Sequence, residues 1–353
     1  MKHNKNQWRD DILNLFQKSE IEKRRSGEGD VMKKILFFKA LKFVALIIVF
    51  LTSCGPDTPT HTVNENQPEV KTAVPEFNAD SAFFFVKKQV DFGPRIPNSK
   101  AHDECAAFLI KHFESHGLKV HQQKGSVNVY DGKTLNFNNI SAQYQPEKTN
   151  RIMISAHWDT RPWADQDSKD PQKPFDGAND GASGVGIIME MARVLSKEKL
   201  NVGVDFVLFD VEDYGKSEIE DSYCLGSQYW AKNFPLAVKP FYGINLDMVG
   251  DANAQFTYEG VSVQTAKNVL DKVWRSAHGL GYGQYFSFEE TSGIIDDHSY
   301  VNKFTSIPCI DIIDRSTPGF AKTWHKHDDN IKNISPLTLK AVGQTLMYVL
   351  SIE

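Results

Sequence analysis

Seven side chains set the chemistry. His157 and Asp159 lie in ISAHWDT, Asp180 in DGANDGASG, Glu212 and Asp213 in VLFDVEDYG, Asp247 in INLDMVGD, and His325 in KTWHKHDD. Most of them stand directly after an apolar run. Imidazole nitrogen and carboxylate oxygen are the non-thiol ligands of a borderline cation such as Zn²⁺. Charged groups at the ends of buried runs are costly unless a metal or hydrogen bonds compensate them. The set reads as a metalloenzyme site.

The elements that must position these residues are visible as short apolar runs. RIMISA (151–156), VDFVLF (204–209), FYGINL (241–246) and IPCIDII (307–313) have the pattern of central strands covered on both faces. Apolar residues at helical spacing mark 78–90, 99–116, 183–195, 226–233, 262–278 and 337–352. Alternating strands and helices predict an α/β fold, a three-layer α/β/α sandwich around a mixed, mostly parallel sheet. Ligands of such sheets bind beyond the carboxyl ends of the strands. The acids and histidines fall there.

Composition sets the outer bounds. The 353 residues are 41% hydrophobic and 24% charged, an ordinary globular balance. A net charge of −5 with only short basic clusters gives no basis for nucleic-acid binding. The site residues are spread over one region, so a single large catalytic domain is expected at 77–353, most simply a monomer. Ahead of it, Lys33, Lys34, Lys39 and Lys42 precede the apolar run FVALIIVFL, which is too short for a membrane span and suits a signal-peptide core. The run ends in Leu-Thr-Ser-Cys-Gly, similar to a bacterial lipoprotein box with Cys54 as the lipid-modified residue. Residues 32–54 are expected to be a lipoprotein signal peptide, and 1–31 a non-native upstream extension. Residues 55–76 are poor in apolar side chains and read as a flexible tether. An exported enzyme, lipid-anchored to the bacterial membrane and facing periplasm or cell surface, follows. Beyond Cys54 there remain Cys105, Cys224 and Cys309, an odd number with no CxxC spacing, so a free thiol is expected and a zinc–thiolate cluster is not.

Taken together, the motifs resemble the zinc-dependent exopeptidase superfamily of the M28 type, which includes bacterial leucyl-type aminopeptidases and the glutaminyl cyclases. The resemblance covers nearly all of 77–353. The two-zinc aminopeptidase pattern of His-x-Asp, a bridging Asp, Glu-Glu, Asp and a late His is matched by His157 with Asp159, Asp180, Glu212 with Asp213, Asp247 and His325. Two segments are similar to glutaminyl cyclases: Trp324-His325-Lys326-His327-Asp328-Asp329-Asn330 and Asp296-Asp297-His298. One departure stands out. The second acid of the Glu-Glu pair is Asp213, one methylene shorter, so the metal must sit closer to that strand end or the backbone must shift.

The resemblance implies a zinc-dependent glutaminyl-peptide cyclotransferase acting on peptide or protein N-termini. It implies one Zn²⁺ on Asp180, Asp213 and His325, with Glu212 as proton carrier supported by Asp247 and Asp296, and Trp324 lining the substrate pocket. His157 and Asp159 would be supporting groups. The rival is a two-zinc aminopeptidase in which His157 and Asp247 bind a second metal. A degenerate, non-enzymatic binding protein is disfavoured because no acid or histidine of the pattern is replaced by an inert residue. Plainer roles compete locally. Asp180 sits in ordinary Asn-Asp-Gly turn chemistry, His327 is an alternative ligand, and Trp324 alone would be a core aromatic.

Overall fold

The computed structural model describes residues 74–316 and 319–353. The expected upstream extension, the lipoprotein signal with Cys54, and the tether up to residue 73 lie outside the described residues. The chain opens with α1 (Ala79–Val90) and α2 (Lys100–Ser115), followed by β1 (Lys119–Asn128), β2 (Thr134–Tyr144) and β3 (Arg151–His157). Then come α3 (Ala182–Leu195), β4 (Gly203–Phe209), α4 (Leu225–Lys232), β5 (Tyr242–Asp247), β6 (Phe256–Tyr258) and α5 (Gly260–Gly279). β7 (Phe286–Glu290), α6 (Asp297–Thr305), β8 (Cys309–Ile313) and α7 (Pro336–Ser351) complete it.

Six strands form one sheet in the order β1-β2-β4-β3-β5-β8. β4, β3, β5 and β8 are mutually parallel, while β1 pairs antiparallel with β2 and β2 with β4. The sheet is therefore mixed and mostly parallel, as expected. Every residue of β3 and β4 is buried, because both faces are covered. Ile152, Ile154 and Ala156 point into the core shared with α1, α3 and α7. Met153, Val207 and Phe209 point the other way, onto Trp230 of α4 and Val301 of α6. Burying each such side chain stabilises the fold by about 1.5–3 kcal/mol.

Helix starts follow local chemistry. Asn78, Ser99 and Ser335 cap α1, α2 and α7 by accepting from the backbone of Ser81, His102 and Thr338, and Pro336 takes the first helical position of α7. α3 is buried at every residue except Arg193. β8 begins two residues later than its apolar run because Pro308 has no N–H to give the ladder. Cys105, Cys224 and Cys309 are all free and buried. Among the described residues no helix is long and apolar enough to cross a membrane.

Candidate active site

Parallel pairing brings the carboxyl ends of β4, β3, β5 and β8 to one edge. The chain runs from β3 outward to β4 on one side and to β5 on the other, so a crevice opens between their ends. His157 is the last residue of β3 and Asp247 the last of β5. Glu212 and Asp213 follow β4, Asp180 immediately precedes α3, and His325 stands on the long loop after β8.

Asp180, Asp213 and His325 each offer a ligand atom within 4.8 Å of the others, and so do His157, Asp180 and Asp247. Asp180 belongs to both groups. His325 Nε2 is 3.3 Å from Asp213 Oδ1 and 3.8 Å from Asp180 Oδ2. His157 Nε2 is 2.9 Å from Asp180 Oδ1 and 3.4 Å from Asp247 Oδ1. Zinc bond lengths in a tetrahedron require donor–donor edges of about 3.3 Å. Both ring nitrogens of His157, Asp213 Oδ2 and Asp247 Oδ1 are buried without an aligned hydrogen-bond partner. Orphaned donors and acceptors of this kind are expensive unless an ion completes them. The donor set therefore fits zinc.

The surroundings hold these side chains in place. Asp159 accepts from the backbone N–H of Glu212 at 3.0 Å and of Asp213 at 3.3 Å, and its Oδ1 lies 3.6 Å from His157 Nδ1. It clamps the turn after β4. Val211 in that turn takes a left-handed φ of 52°, unusual for a β-branched residue. Asp213, two residues on, comes within 3.3 Å of His325 Nε2. Arg161 donates to Asp213 O at 2.9 Å and to both carboxylate oxygens of Asp165 at 2.9 and 2.7 Å. Asp165 in turn stands 3.1 Å from His325 Nδ1, which leaves Nε2 aimed at the acids. Asp329 accepts from the backbone of Asn179 at 2.6 Å and Asp180 at 3.1 Å, fixing the turn before α3. Residue 181 must be glycine, since a Cβ there would overlap the His157 ring.

Electrostatics separate the roles. Burial, reinforced by Asp213, Asp297 and Asp296, holds the Glu212 carboxyl well above the usual range. Burial, with Asp296 and Asp180 nearby, pushes Asp247 up to about 7 against the pull of His157. For His325, burial works against protonation, but Asp213 and Asp165 outweigh it and raise the ring to about 9. Glu212 Oε1 accepts from the Cys224 thiol at 3.2 Å.

Beside the ligand cluster lies a cavity of about 320 Å³ with Glu212, Asp247 and Asp296 on one side. Met248, Ile294, Ile313, Phe320 and Trp324 form the apolar wall. Trp324 stacks on His325 with centroids 4.0 Å apart and packs against Phe320 at 4.7 Å. Of Asp296-Asp297-His298, only Asp296 lines the cavity. His298 turns inward to Glu259 Oε2 at 3.1 Å, and Asp297 is fully buried behind it. His327 pairs with Asp167 at 3.0 Å and stays out of the cluster. His102 is structural, bonded to Asp210 at 2.9 Å and stacked on Trp158. Sequence reasoning missed Arg161 and Asp165, and assigned no individual role to Asp329, quoted within the Trp324–Asn330 segment, or to Cys224. The RPWAD segment carried a signal, an arginine and an aspartate four residues apart just after the His-x-Asp motif, but nothing in it named His325 as partner.

Comparison with known proteins places this site among relatives. The model of peptidase family M28 matches residues 139–350. The structure of a glutaminyl cyclase from Bacteroides thetaiotaomicron bound to N-acetylhistamine is 44% identical, with a TM-score of 0.78, over 80% of this chain and 100% of that one. A leucine aminopeptidase precursor from Bacteroides thetaiotaomicron is 45% identical, with a TM-score of 0.77, over 80% of this chain and 99% of that one. The chain spans less than two thirds of the length of the curated relatives it matches. Aminopeptidase YwaD of Bacillus subtilis, for example, is 28% identical over 204 residues, 54% of this chain and 38% of that protein.

Proposed function

The chain belongs to peptidase family M28, and from that premise we propose that it is a glutaminyl-peptide cyclotransferase. It converts the N-terminal Gln of peptides to pyroglutamate and releases ammonia. The observation that carries the reading is geometric: Glu212 and Asp296 face a small cavity beside the ligand cluster, walled by Met248, Ile313, Phe320 and Trp324. Cyclisation needs one group that removes a proton from nitrogen and returns it to nitrogen. A peptidase instead needs an activated water. The likeness over the whole length of a glutaminyl cyclase structure supports the same reading.

Asp180, Asp213 and His325 would hold one Zn²⁺, which supplies Lewis-acid polarisation of the Gln side-chain carbonyl. The apolar wall of Met248, Ile313 and Trp324 orients the Gln side chain and keeps water from competing with the amine. The substrate α-amine nitrogen bonds to the side-chain carbonyl carbon, and Glu212 Oε2 takes the amine proton. Cys224 occupies Oε1, so the other oxygen is left for the substrate. The same proton then passes to the departing amide nitrogen as its bond to carbon breaks, and ammonia leaves. Asp296 is fixed by Asn245 Nδ2 at 3.2 Å and by the Asp297 N–H, and its negative charge near Glu212 favours the proton there. Glu212→Gln should retain zinc and fold yet lose about 10²-fold or more in rate.

One observation favours a second reading. His157, Asp180 and Asp247 form a second ligand-like group, as a two-zinc aminopeptidase requires. Metal analysis of the native protein and of His157→Ala, with assays on Gln-peptides and Leu-anilides, separates the two. One zinc, retained in His157→Ala, with ammonia release supports the cyclase. Two zincs, one lost with His157, together with anilide cleavage would overturn it.

A further inference from the structure

The apolar cavity wall ends in a rim with different chemistry. Residues 216–222 form a loop closed on itself. Ser222 Oγ binds both Lys216 N and Lys216 O at 2.9 Å, and Ile219 N reaches Lys216 O at 2.8 Å. Asp221 anchors the far end, its carbonyl accepting from Gln228 Nε2 at 3.0 Å and its carboxylate from Tyr300 Oη at 2.8 Å. The tethered loop presents Ile219 and Glu220 at the cavity, and Ile295 stands on the same lining from the segment before α6. Ile219 is 41% and Ile295 66% exposed, high values for side chains that flank an active site.

The charge on this lining is one-sided. Seven carboxylates line the cavity, His325 is the only basic side chain among them, and neither Lys nor Arg takes part. A doubly charged zinc and one proton on Glu212 would leave it still anionic. Of the two rim acids, Asp221 is held by Tyr300 and lies 3.8 Å from Lys303. Lys216 is 3.9 Å from Glu218 instead. Among the described residues no cationic side chain lies within ion-pair distance of Glu220. An unneutralised carboxylate beside two exposed isoleucines matches a side chain with a long aliphatic stem and a cationic tip.

We propose that Glu220, with Ile219 and Ile295, selects substrates that carry Lys or Arg directly after the N-terminal Gln. The inference rests on the cyclase reading: with the Gln side chain in the cavity, its own amine attacks internally, and the rest of the peptide must leave over the rim. The second residue then lies against the isoleucines with its charged head at Glu220. An exposed ion pair contributes little, about two- to five-fold in affinity. An acidic second residue suffers the opposite effect, so a Gln-Arg to Gln-Glu ratio of about ten-fold in kcat/KM is expected at low salt. The ratio should shrink as salt screens the rim.

The test compares Gln-Arg-amide, Gln-Ala-amide and Gln-Glu-amide by ammonia release with the zinc-loaded native chain and with Glu220→Gln. Calorimetry measures binding of the same peptides to Glu212→Gln. The expected result is a preference for Arg, carried by KM, that falls to about two-fold or less in Glu220→Gln. A native protein indifferent to the second residue, or an undiminished ratio in Glu220→Gln, would overturn the proposal. Arg-selective binding to Glu212→Gln without ammonia release from the native chain would sink the cyclase reading alone and leave the rim preference standing.

Discussion

Asp159 is the most instructive residue to remove. Its carboxylate is fully buried and receives two backbone donors, Glu212 N at 3.0 Å and Asp213 N at 3.3 Å. Asp159→Ala leaves both N–H groups buried and unpaired. A hydrogen bond to a charged acceptor is worth about 1.5–3 kcal/mol net. Two would give about 3–6 kcal/mol, and the longer 3.3 Å bond argues for the lower half, about 3–4 kcal/mol. For a domain of this size that corresponds to a fall in Tm of roughly 5–7 °C. The same clamp sets where Asp213 stands, and Asp159 also faces His157, so zinc affinity should fall about 10- to 100-fold, the usual scale for groups that orient metal ligands. Asp159→Asn keeps one oxygen acceptor and should lose about half the stability. Urea unfolding of metal-free protein gives the first quantity, and chelator competition gives the second. Asp159→Ala within about 1 kcal/mol of native stability, or with unchanged zinc affinity, would refute the clamp.

Further outcomes follow from other buried groups. Asp205→Ala strips the fully buried Arg151 of a two-pronged partner at 2.9 and 2.8 Å and should cost about 3–5 kcal/mol, read by chemical denaturation. A double change to Arg151→Met and Asp205→Leu should recover only part of that, because Arg151 also donates to the carbonyls of Tyr144, Gln145, Lys148 and Val204. Burial lowers His112 from 6.5 to about 4, so the unfolded chain takes up its proton first on acidification. Its contribution is whole above pH 6.5 and declines between 6.5 and 4 by at most about 3 kcal/mol. His112→Gln should flatten the stability curve in that window, and an unchanged curve would remove His112 from the account. If Cys54 carries lipid, as its sequence context suggests, Cys54→Ala should move the protein from the membrane to the soluble fraction. Native protein found fully soluble would count against the anchor.

The parallel core was legible because β3, β4, β5 and β8 are buried on both faces and therefore spell uninterrupted apolar runs. β1 and β2 were not. β1 alternates exposed and half-buried positions over KVHQQKGSVN, a strand whose polar residues hide its period. α6 was missed because Asp296-Asp297-His298 read as a pocket motif, whereas Asp296 is the cap of that helix and the one residue of the three that lines the cavity. His157, Asp180, Glu212, Asp213 and Asp247 were legible because they stand at or just after strand ends or just before a helix, whereas His325, on the long loop after β8, was found only through its motif. Arg161, Asp165 and Asp329 act across loops distant in sequence, where no spacing rule points. The shorter Asp213 still comes within 3.3 Å of His325 Nε2, from a turn in which Val211 is left-handed.

The three buried, unpaired thiols provide intrinsic clocks for how the molecule opens. Cys105 sits in α2, Cys224 against the Glu212 carboxylate, and Cys309 on β8, and none is accessible in the folded state. A thiol reagent can reach each one only after its own neighbourhood has separated, so three labelling rates report three local events. Cys224 should be released by opening of the loop before α4. Cys309, on the edge strand β8 but covered by α5 and α6, should be released only when that helix packing is lost. Adding zinc should slow Cys224 far more than Cys105, which would turn a side chain with no redox work into a gauge of how strongly the metal ties the strand ends together.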